Sequence, residues 1–593
     1  MQAKERVRTL QKIMREKGMD VYIIPSSDSH QSEYVADYFK SRQFISGFTG
    51  SAGTVIVSLE HGNGLWTDGR YFIQAEEEIK GSSIDLFKMG EEGVPTINQW
   101  LKKNLADGAT IGFDGRLFSA NYVTKMKKEL KNKDFNYQIN DDLIDLIWID
   151  RPAMPAEKVI EHDLKFAGKQ SRDKIKEIRE LMVEEDADTY VIGSLDDIVW
   201  LCNIRGNDMQ YSPVVYAYAM ITMETTSLYV DLSKISDGIK NTLLGEGITV
   251  KTYDALWEDI NNLDASRKVA LDSNRINSAL YSKVKEQCKV REIKEISALL
   301  KAKKNEIEIE NLRKCNIRDN VAMVKFLYWL KSNIGKIKIT ELDIEDKLLE
   351  LRSQMENNLG ASFATIAAYG EHGALNHYKA SEESQKTLEP EGFVLIDSGG
   401  QYYDGTTDIT RTIVLGPITE EMRRNYTLVL RGNINLSRVI FRQGTKGCNL
   451  DALARMPLWE HGLEFKHGTG HGLGFFLNVH EGPHNISQHL VDVPLEVGMV
   501  VTNEPGYYVE GDYGIRLEND ILVAPQNKTE WGQFLKFETL TYCPFDLEAI
   551  DTSLLKDEEK QWLNEYHKKT YELLAPYLNE DEKVWLKENT KEV

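Results

Sequence analysis

The sequence predicts an α/β (α+β) fold assembled from repeated parts, and three observations carry the prediction. The chain has 593 residues, too many for one hydrophobic core. Its first half contains two long segments that read alike. Beyond about residue 305 the order helix, helix, strand, hairpin occurs twice.

The first of the like segments runs "LQKIMREKGMDVYIIPSSDSHQSEYVADYF" and then "FISGFTGSAGTVIVSLEHGNGLWTDGRYF". The second runs "IKEIRELMVEEDADTYVIGSLDDIVWLCNIRGNDMQYSPVVYAYAMITMETTSLYVD". Each passes from a charged helix to a buried strand (Val21–Ile24; Tyr190–Ile192), a polar turn and another helix. Each then reaches a glycine-containing loop and a hairpin ending in an aromatic-rich strand. Two copies of one α/β domain are expected, joined by the proline-bearing "IDRPAMPAEKV" at 149–159. The expected domains are 1–155, 156–304 and 305–593. In the third, "KKNEIEIENLRKCNIRDNVAMVKFLYWLKSNI" and "TELDIEDKLLELRSQMENN" are helical by spacing, with Thr340 a candidate N-cap. The strand "SFATIAAYG" follows, then a hairpin over Gly392–Leu415. Two further helices and a second hairpin over Gly498–Val523 repeat the order, which implies a duplicated domain. The tail from Leu547 reads as charged amphipathic helix packed on the outside.

Composition narrows the function. A formal charge of -21 argues against a sequence-independent grip on nucleic acid, which needs a basic face. The first twenty residues form a charged amphipathic helix with no apolar signal run, and no stretch approaches a membrane span. Five widely spread cysteines make neither a disulfide framework nor a zinc pattern. A cytoplasmic protein is expected.

The chemistry concentrates in "HGTGHGLGFFLNVHEG" (467–482), with three histidines and five glycines in sixteen positions. The window 461–489 holds six of the twelve histidines. Imidazole binds metal and carries protons, and glycine lets backbone approach closely. Partners for it lie in the two hairpins, "EGFVLIDSGGQYYDGTTDITRTIVL" and "VGMVVTNEPGYYVEGDYGIRLENDILV". Each runs to an acid followed by x-Gly (Asp397, Glu504), then through Tyr-Tyr and a Gly turn to a second acid (Asp408, Glu518). A carboxylate interrupting an apolar strand is costly unless paired or metal-bound. The four acids would meet at the pseudo-twofold axis of the duplication. Arg411 and Arg516 could each take one, which leaves two salt bridges as the competing reading. With His471 added, two Asp, two Glu and one His form a hard-leaning set for two divalent cations. It favours Mn²⁺, with Co²⁺, Fe²⁺ or Zn²⁺ able to substitute.

The stretches "IDSGGQYYDGTTDITRT", "HGTGHGLGFFLNVHEGP", "NEPGYYVEGDYGIRLEN" and "LNHYKA" resemble the motifs of the cytosolic Xaa-Pro aminopeptidases, metallopeptidases of the pita-bread fold. The likeness extends to "YIIPSSDSHQSEY", "SGFTGSAGT" and "LWTDGRYF", so it covers all three expected domains, the first two being creatinase-like. It implies Asp397 on one metal, Asp408 and Glu518 bridging both, and His471 and Glu504 completing the second. Glu504 would also serve as proton shuttle. His377 and His480 match residues that contact the scissile region and steady the tetrahedral intermediate. His467 matches one lining the proline side. Arg70 and Glu33 match positions near the cleft entrance, where a local salt bridge is an equal reading. Arg516 is expected to buttress a ligand acid. His471 and His480 are nine residues apart, so the chain between them must bend if both serve one pocket. His372, His461, His484 and His489 read as surface residues, and Tyr402, Tyr403, Tyr507 and Tyr508 as packing.

The resemblance implies a cytoplasmic homodimer that removes the residue before a penultimate proline. A prolidase acting on dipeptides would share the metal set, but the second α/β copy points away from it. A creatinase would lack the metal acids. A catalytically silent peptide-binding module would lose the ligands, all five of which are present.

Overall fold

Val21–Pro25, "VYIIP", is buried along its whole length, as a near-continuous apolar run inside a covered sheet must be. In the computed structural model, which describes residues 2–593, it lies within a six-stranded sheet. The order is Ile84–Lys88, Asn63–Thr67, Thr54–Ser58, Val21–Pro25, Thr110–Phe113, Asn136–Gln138. A second sheet has Ile248–Lys251, Thr226–Val230, Ala217–Thr222, Thr189–Ile192, Lys268–Leu271 and Lys289–Glu292 in the corresponding order. Directions agree as well. The Val21 strand pairs antiparallel with Thr54–Ser58 and parallel with Thr110–Phe113. The Thr189 strand does the same with Ala217–Thr222 and Lys268–Leu271.

The copies meet through equivalent residues. Ser119 and Asn277 each cap the helix that follows, Ala120–Leu130 and Ser278–Gln287. Between those caps the hydrogen bonds are reciprocal. The Ala120 N–H donates to Ile276 O at 3.0 Å, and the Ser278 N–H donates to Phe118 O at 2.8 Å. Like contacting like is the signature of a twofold relation.

Two compact units result. One comprises the chain up to Glu161 together with Gln170–Ser297; the other comprises His162–Lys169 and Ala298–Val593. The expected linker, 149–159, contains no helix or strand from Arg151 onward.

In the second unit the helices Glu306–Asn333 and Glu341–Ser353 begin with capping boxes, at Asn305 and at Thr340. The strand Ile366–Tyr369 then pairs with Phe393–Ser398, which pairs with Ile409–Val414. After the helices Glu420–Ser437 and Asp451–Trp459 the pattern returns, with Gly470–Gly472 beside Val500–Asn503 beside Asn519–Thr529. The duplicated order expected from the sequence is therefore present in the strand pairing. No helix among the described residues is long and apolar enough to cross a membrane.

The tail is charged amphipathic helix, as expected, with its inner face built into the core. It contains two main helices, Asp557–Leu574 and Glu580–Glu588, and the first is part of the core. Leu563, Tyr566, His567, Thr570 and Leu574 are buried, and Tyr566 donates its O–H to Cys543 O at 2.8 Å. The strand Gly532–Thr539, which extends the second hairpin, was not anticipated.

One helix contact bears directly on the acids. Asn433, fully buried on Glu420–Ser437, donates to Asn503 O at 2.8 Å and Leu517 O at 3.0 Å, the carbonyls preceding Glu504 and Glu518. The approach depends on Gly432, where an added Cβ would lie 2.2 Å from Ala454 O, a backbone atom that cannot rotate away. Gly432→Ala is expected to destabilise the second unit by about 1–3 kcal/mol, read as a lowered urea midpoint of the intact chain; an unchanged midpoint would refute the close approach.

Candidate metal centre

Strand register brings the five predicted ligands together. Asp397 lies near the end of Phe393–Ser398, opposite Thr410. Asp408 sits just before Ile409–Val414, and its N–H donates to Asp520 Oδ2 at 3.2 Å. Glu504 follows Val500–Asn503 and accepts from Thr502 Oγ1 at 3.0 Å. Glu518 accepts from Thr410 Oγ1 at 2.6 Å, while its own N–H donates to Thr410 O at 3.0 Å. Each acid is thus fixed by a neighbour on the facing strand or on its own.

His471 completes the cluster. Its Nδ1–H donates to Gly472 O at 2.9 Å, which fixes the tautomer and leaves the Nε2 lone pair facing the acids. Nε2 lies 3.4 Å from Asp408 Oδ2 and 3.6 Å from Glu504 Oε1. Asp408, His471 and Glu518 each offer a donor within 4.8 Å of the others. Hard divalent cations suit this set. Asp397 Oδ1 and Asp408 Oδ1 are buried oxygens with no hydrogen-bond partner, and metal coordination is the compensation such groups require.

The electrostatics say the same. Burial first, then Asp397, Asp520 and Glu504, push the Asp408 carboxyl well above the usual carboxylate range. Burial and the charges of Asp408, Glu504 and Asp397 push Glu518 the same way, and burial raises Glu504. Only part of the salt-bridge reading holds. Arg516 Nη2 donates to Asp397 Oδ2 at 2.6 Å, the buttress expected of it. Arg411, fully buried, pairs with no acid; it donates to Thr410 O, Glu518 O, Asn519 Oδ1 and Cys543 O. One guanidinium cannot neutralise the cluster.

The glycines earn their place through close backbone approach. A Cβ on Gly470 would lie 1.9 Å from Thr502 O, and one on Gly472 would lie 2.2 Å from Glu481 O. The chain then turns back, so that Gly472 pairs with Glu481. The bend places the rings of His471 and His480 edge to face, 4.3 Å between centroids. Within the turn Phe476 adopts φ +49°, a strained value for a bulky residue.

His467 joins a relay that the sequence did not reveal. Arg516 Nη1 donates to the Tyr508 hydroxyl at 2.9 Å, Tyr508 donates to His467 Nε2 at 2.8 Å, and His467 Nδ1–H donates to Gly468 O at 2.7 Å. Burial and the nearby Arg516 push the His467 pKa down to about 3, so the ring is neutral at working pH. Tyr508 is therefore more than packing. His377 is exposed, and near enough to His467 for its charge to act on it. Arg70, in the other compact unit, pairs locally with Asp68 at 2.8 Å, and the charge of Glu33 acts on it.

Two surface expectations are overturned. His484 is buried, donates Nε2–H to Val500 O at 2.8 Å, and has its pKa pushed down to about 4 by burial. His372 is half-buried, 2.8 Å from Glu341 Oε1 and stacked on Tyr378. Their partners lie at distant sequence positions, so nothing local marked them. His461 and His489 are exposed, as expected. Sequence reasoning also missed Asp520, and Lys301 and Lys304, which bond Glu481 beside His480.

Against known proteins, the model of metallopeptidase family M24 matches residues 310–525, and that of the C-terminal region of peptidase M24 matches 533–593. Two models of the creatinase/prolidase N-terminal domain match 6–141 and 150–308. A probable Xaa-Pro aminopeptidase P of Paracoccidioides brasiliensis is 40% identical, the match covering 99% of both chains. One of Pyrenophora teres f. teres is 41% identical over 99% of this chain and 92% of its own. A crystal structure of X-prolyl aminopeptidase from Caenorhabditis elegans, described as a cytosolic enzyme with a di-nuclear active site, superposes with a TM-score of 0.93. It is 35% identical, with each chain covered in full. Prolidase from Pyrococcus horikoshii OT3 is 26% identical with a TM-score of 0.50, and the match covers 63% of this chain and 99% of that one. The chain belongs to the M24 metallopeptidases and, within them, to the Xaa-Pro aminopeptidase P family.

The raised carboxyls hold protons more tightly in the folded protein than in the unfolded one. Their contribution to stability is therefore present at low pH and lost as pH rises above the ordinary carboxylate range. Cations replace those protons. The thermal shift on adding Mn²⁺ to chelated protein should thus be larger at about pH 8 than at about pH 5.5. A pH-independent shift, read by scanning fluorimetry, would place cation binding elsewhere.

Proposed function

We propose that the chain is a dinuclear-metal aminopeptidase that hydrolyses the bond between an N-terminal residue and a following proline. The observation carrying this reading is the convergence of Asp408, His471 and Glu518, with Asp397 and Glu504 beside them, in a protein carrying two complete N-terminal sheets. The prolidase of P. horikoshii, matched over 99% of its own length, corresponds to 63% of this chain. The working division is 1–155, 156–304 and 305–593, with the chemistry in the last.

Asp397, Asp408, His471, Glu504 and Glu518 would hold two divalent cations. Carboxylates outnumber imidazole four to one in this set, which favours Mn²⁺ over softer metals. Such a pair supplies Lewis acidity toward a carbonyl oxygen and lowers the pKa of water. The residues do the rest. Glu504, its proton affinity raised by burial, takes a proton and returns it to the leaving amine. His480, held edge-on to His471, donates an N–H toward the developing oxyanion, and His377 acts from the substrate side. Neutral His467, locked by Tyr508, offers a flat wall to the proline ring. Arg516 keeps Asp397 from rotating. Arg70 remains a substrate-binding candidate, with its local pairing to Asp68 the competing reading. The same reading makes the protein a cytoplasmic homodimer; sedimentation velocity reads its mass.

Product analysis by mass spectrometry tests the activity. Xaa-Pro tripeptides should lose one residue and be cleaved at least as well as Xaa-Pro dipeptides, and N-acetylated or Xaa-Ala peptides should resist. Exclusive dipeptide cleavage would make the protein a prolidase. Asp408→Asn should abolish activity together with at least one metal equivalent, because a neutral amide cannot bridge two cations; full occupancy by elemental analysis would refute its role. His480→Ala should keep its metal and lose about 10²–10³-fold in kcat; loss of metal would instead make His480 a ligand.

A further inference from the structure

The segment His162–Lys169 packs with the second unit, although the chain on both sides of it belongs to the first. Just before it Ile160–Glu161 pairs with Ile204–Arg205. The short helix Leu164–Ala167 is docked by side chains of the helix Glu306–Asn333 and its cap. Asn305 Nδ2 donates to Ala167 O at 2.9 Å, and Asn311 Nδ2 donates to Lys165 O at 3.0 Å. Gly168 closes it at φ +69°, where a Cβ would lie 2.3 Å from Asn305 Oδ1 and 2.8 Å from Ile307 Cβ. So close a fit fixes the segment's position.

What the segment touches is the turn between His471 and His480. His162, only 2% exposed, donates Nε2–H to Tyr403 O at 2.8 Å. Its ring meets Phe476 edge-on at 5.5 Å, with Phe475 at 5.9 Å. Phe166 stacks on Tyr403 at 6.3 Å, and Tyr403 meets Phe476 edge-on at 5.5 Å. Phe166 also packs against the cluster containing Leu473, Phe475 and Val479. From the hairpin that carries Tyr403, Leu477 O accepts from Gln401 Nε2 at 2.7 Å, and Leu477 N–H donates to Thr406 Oγ1 at 3.3 Å.

We propose that His162–Lys169 is a strap that positions His480, with His162 and Phe166 as its positioning residues. The left-handed backbone of Phe476 persists only where its surroundings over-determine it. The rings of His162 and Tyr403 against Phe476, Phe166 stacked on Tyr403, and the two polar clamps on Leu477 do so. His480, exposed at the end of this turn, is placed by the turn it ends. Releasing the rings on the strap side lets Phe476 relax and carries His480 away from His471. The inference rests on the role proposed above for His480, and its test includes a measurement that needs no activity.

The experiment uses the full-length, metal-loaded protein with His162→Ala, Phe166→Leu and His162→Gln, the last keeping an N–H for Tyr403 O. Hydrogen–deuterium exchange of 473–480 should rise about tenfold in His162→Ala, with exchange of 393–398 unchanged. On an Xaa-Pro tripeptide its kcat should fall about tenfold, with KM and metal content steady. Phe166→Leu should shift both in the same direction, and His162→Gln should fall between His162→Ala and the parent. Unchanged exchange at 473–480 would overturn the proposal, as would a rise spread evenly over the second unit or a loss of metal. Should the parent protein leave Xaa-Pro peptides intact, the aminopeptidase reading fails, while the exchange data still decide the strap.

Discussion

Mutual repulsion among buried carboxylates is the constraint on which the second unit depends. Asp397, Asp408, Glu504 and Glu518 share one guanidinium, that of Arg516. Two like charges 4 Å apart repel by about 4 kcal/mol at an effective dielectric of about 20. A domain's whole stability is about 5–15 kcal/mol. A loosely built scaffold would open to separate such charges. This one resists because each acid is set at or beside the end of a strand whose register is fixed by a neighbour. Asn433 then ties the backbone before Glu504 to that before Glu518.

Close approach is the second half of the same constraint. Ligand atoms can converge only if the strands bearing them do, and a side chain at Gly470 or Gly472 would collide with a backbone carbonyl. Glycine in the histidine-rich stretch is therefore a requirement of ligand distance. The resulting turn buries Leu473, Phe475 and Val479 in an apolar cluster and needs polar support at Leu477. Gln401 and Thr406, from the hairpin that bears the aspartates, supply part of that support.

Much of this was legible in the sequence because it is encoded locally. Alternating strands, Gly turns and the spacing of the acids mark both hairpins, and two like segments mark two like sheets. Arg516 could be assigned to an acid because it is one of two arginines within the acid-bearing hairpins, and its partner is Asp397. The failures share a physical cause. His484 reads like its exposed neighbours His461 and His489, and only Val500, packed across from it, makes it internal. Glu341 does the same for His372. Arg411 looked equivalent to Arg516, yet its strand directs it to the backbone carbonyls of Glu518 and Cys543. Long-range burial decides each case, and no short motif records it.

The duplication is symmetric in backbone and asymmetric in chemistry, and the asymmetry is what makes the centre usable. Two residues beyond the second acid of each hairpin stand Thr410 and Asp520. Thr410 gives its hydroxyl to Glu518, so one oxygen of that carboxylate is already committed. Asp520 instead accepts the backbone N–H of Asp408, fixing the chain while leaving Asp408 Oδ1 without a partner. The first half contributes the shorter aspartates; the second contributes glutamates and the only imidazole of the cluster. A perfectly symmetric repeat would offer two cations the same surroundings. Here one side is purely carboxylate and steadied by Arg516, while the other has His471 and Glu504 in contact distance of each other. Proton transfer needs such inequality, since a carboxylate can give back a proton only if its proton affinity differs from that of its neighbours. Duplication thus brought the acids together, and divergence at a few positions beside them left the two halves chemically unlike.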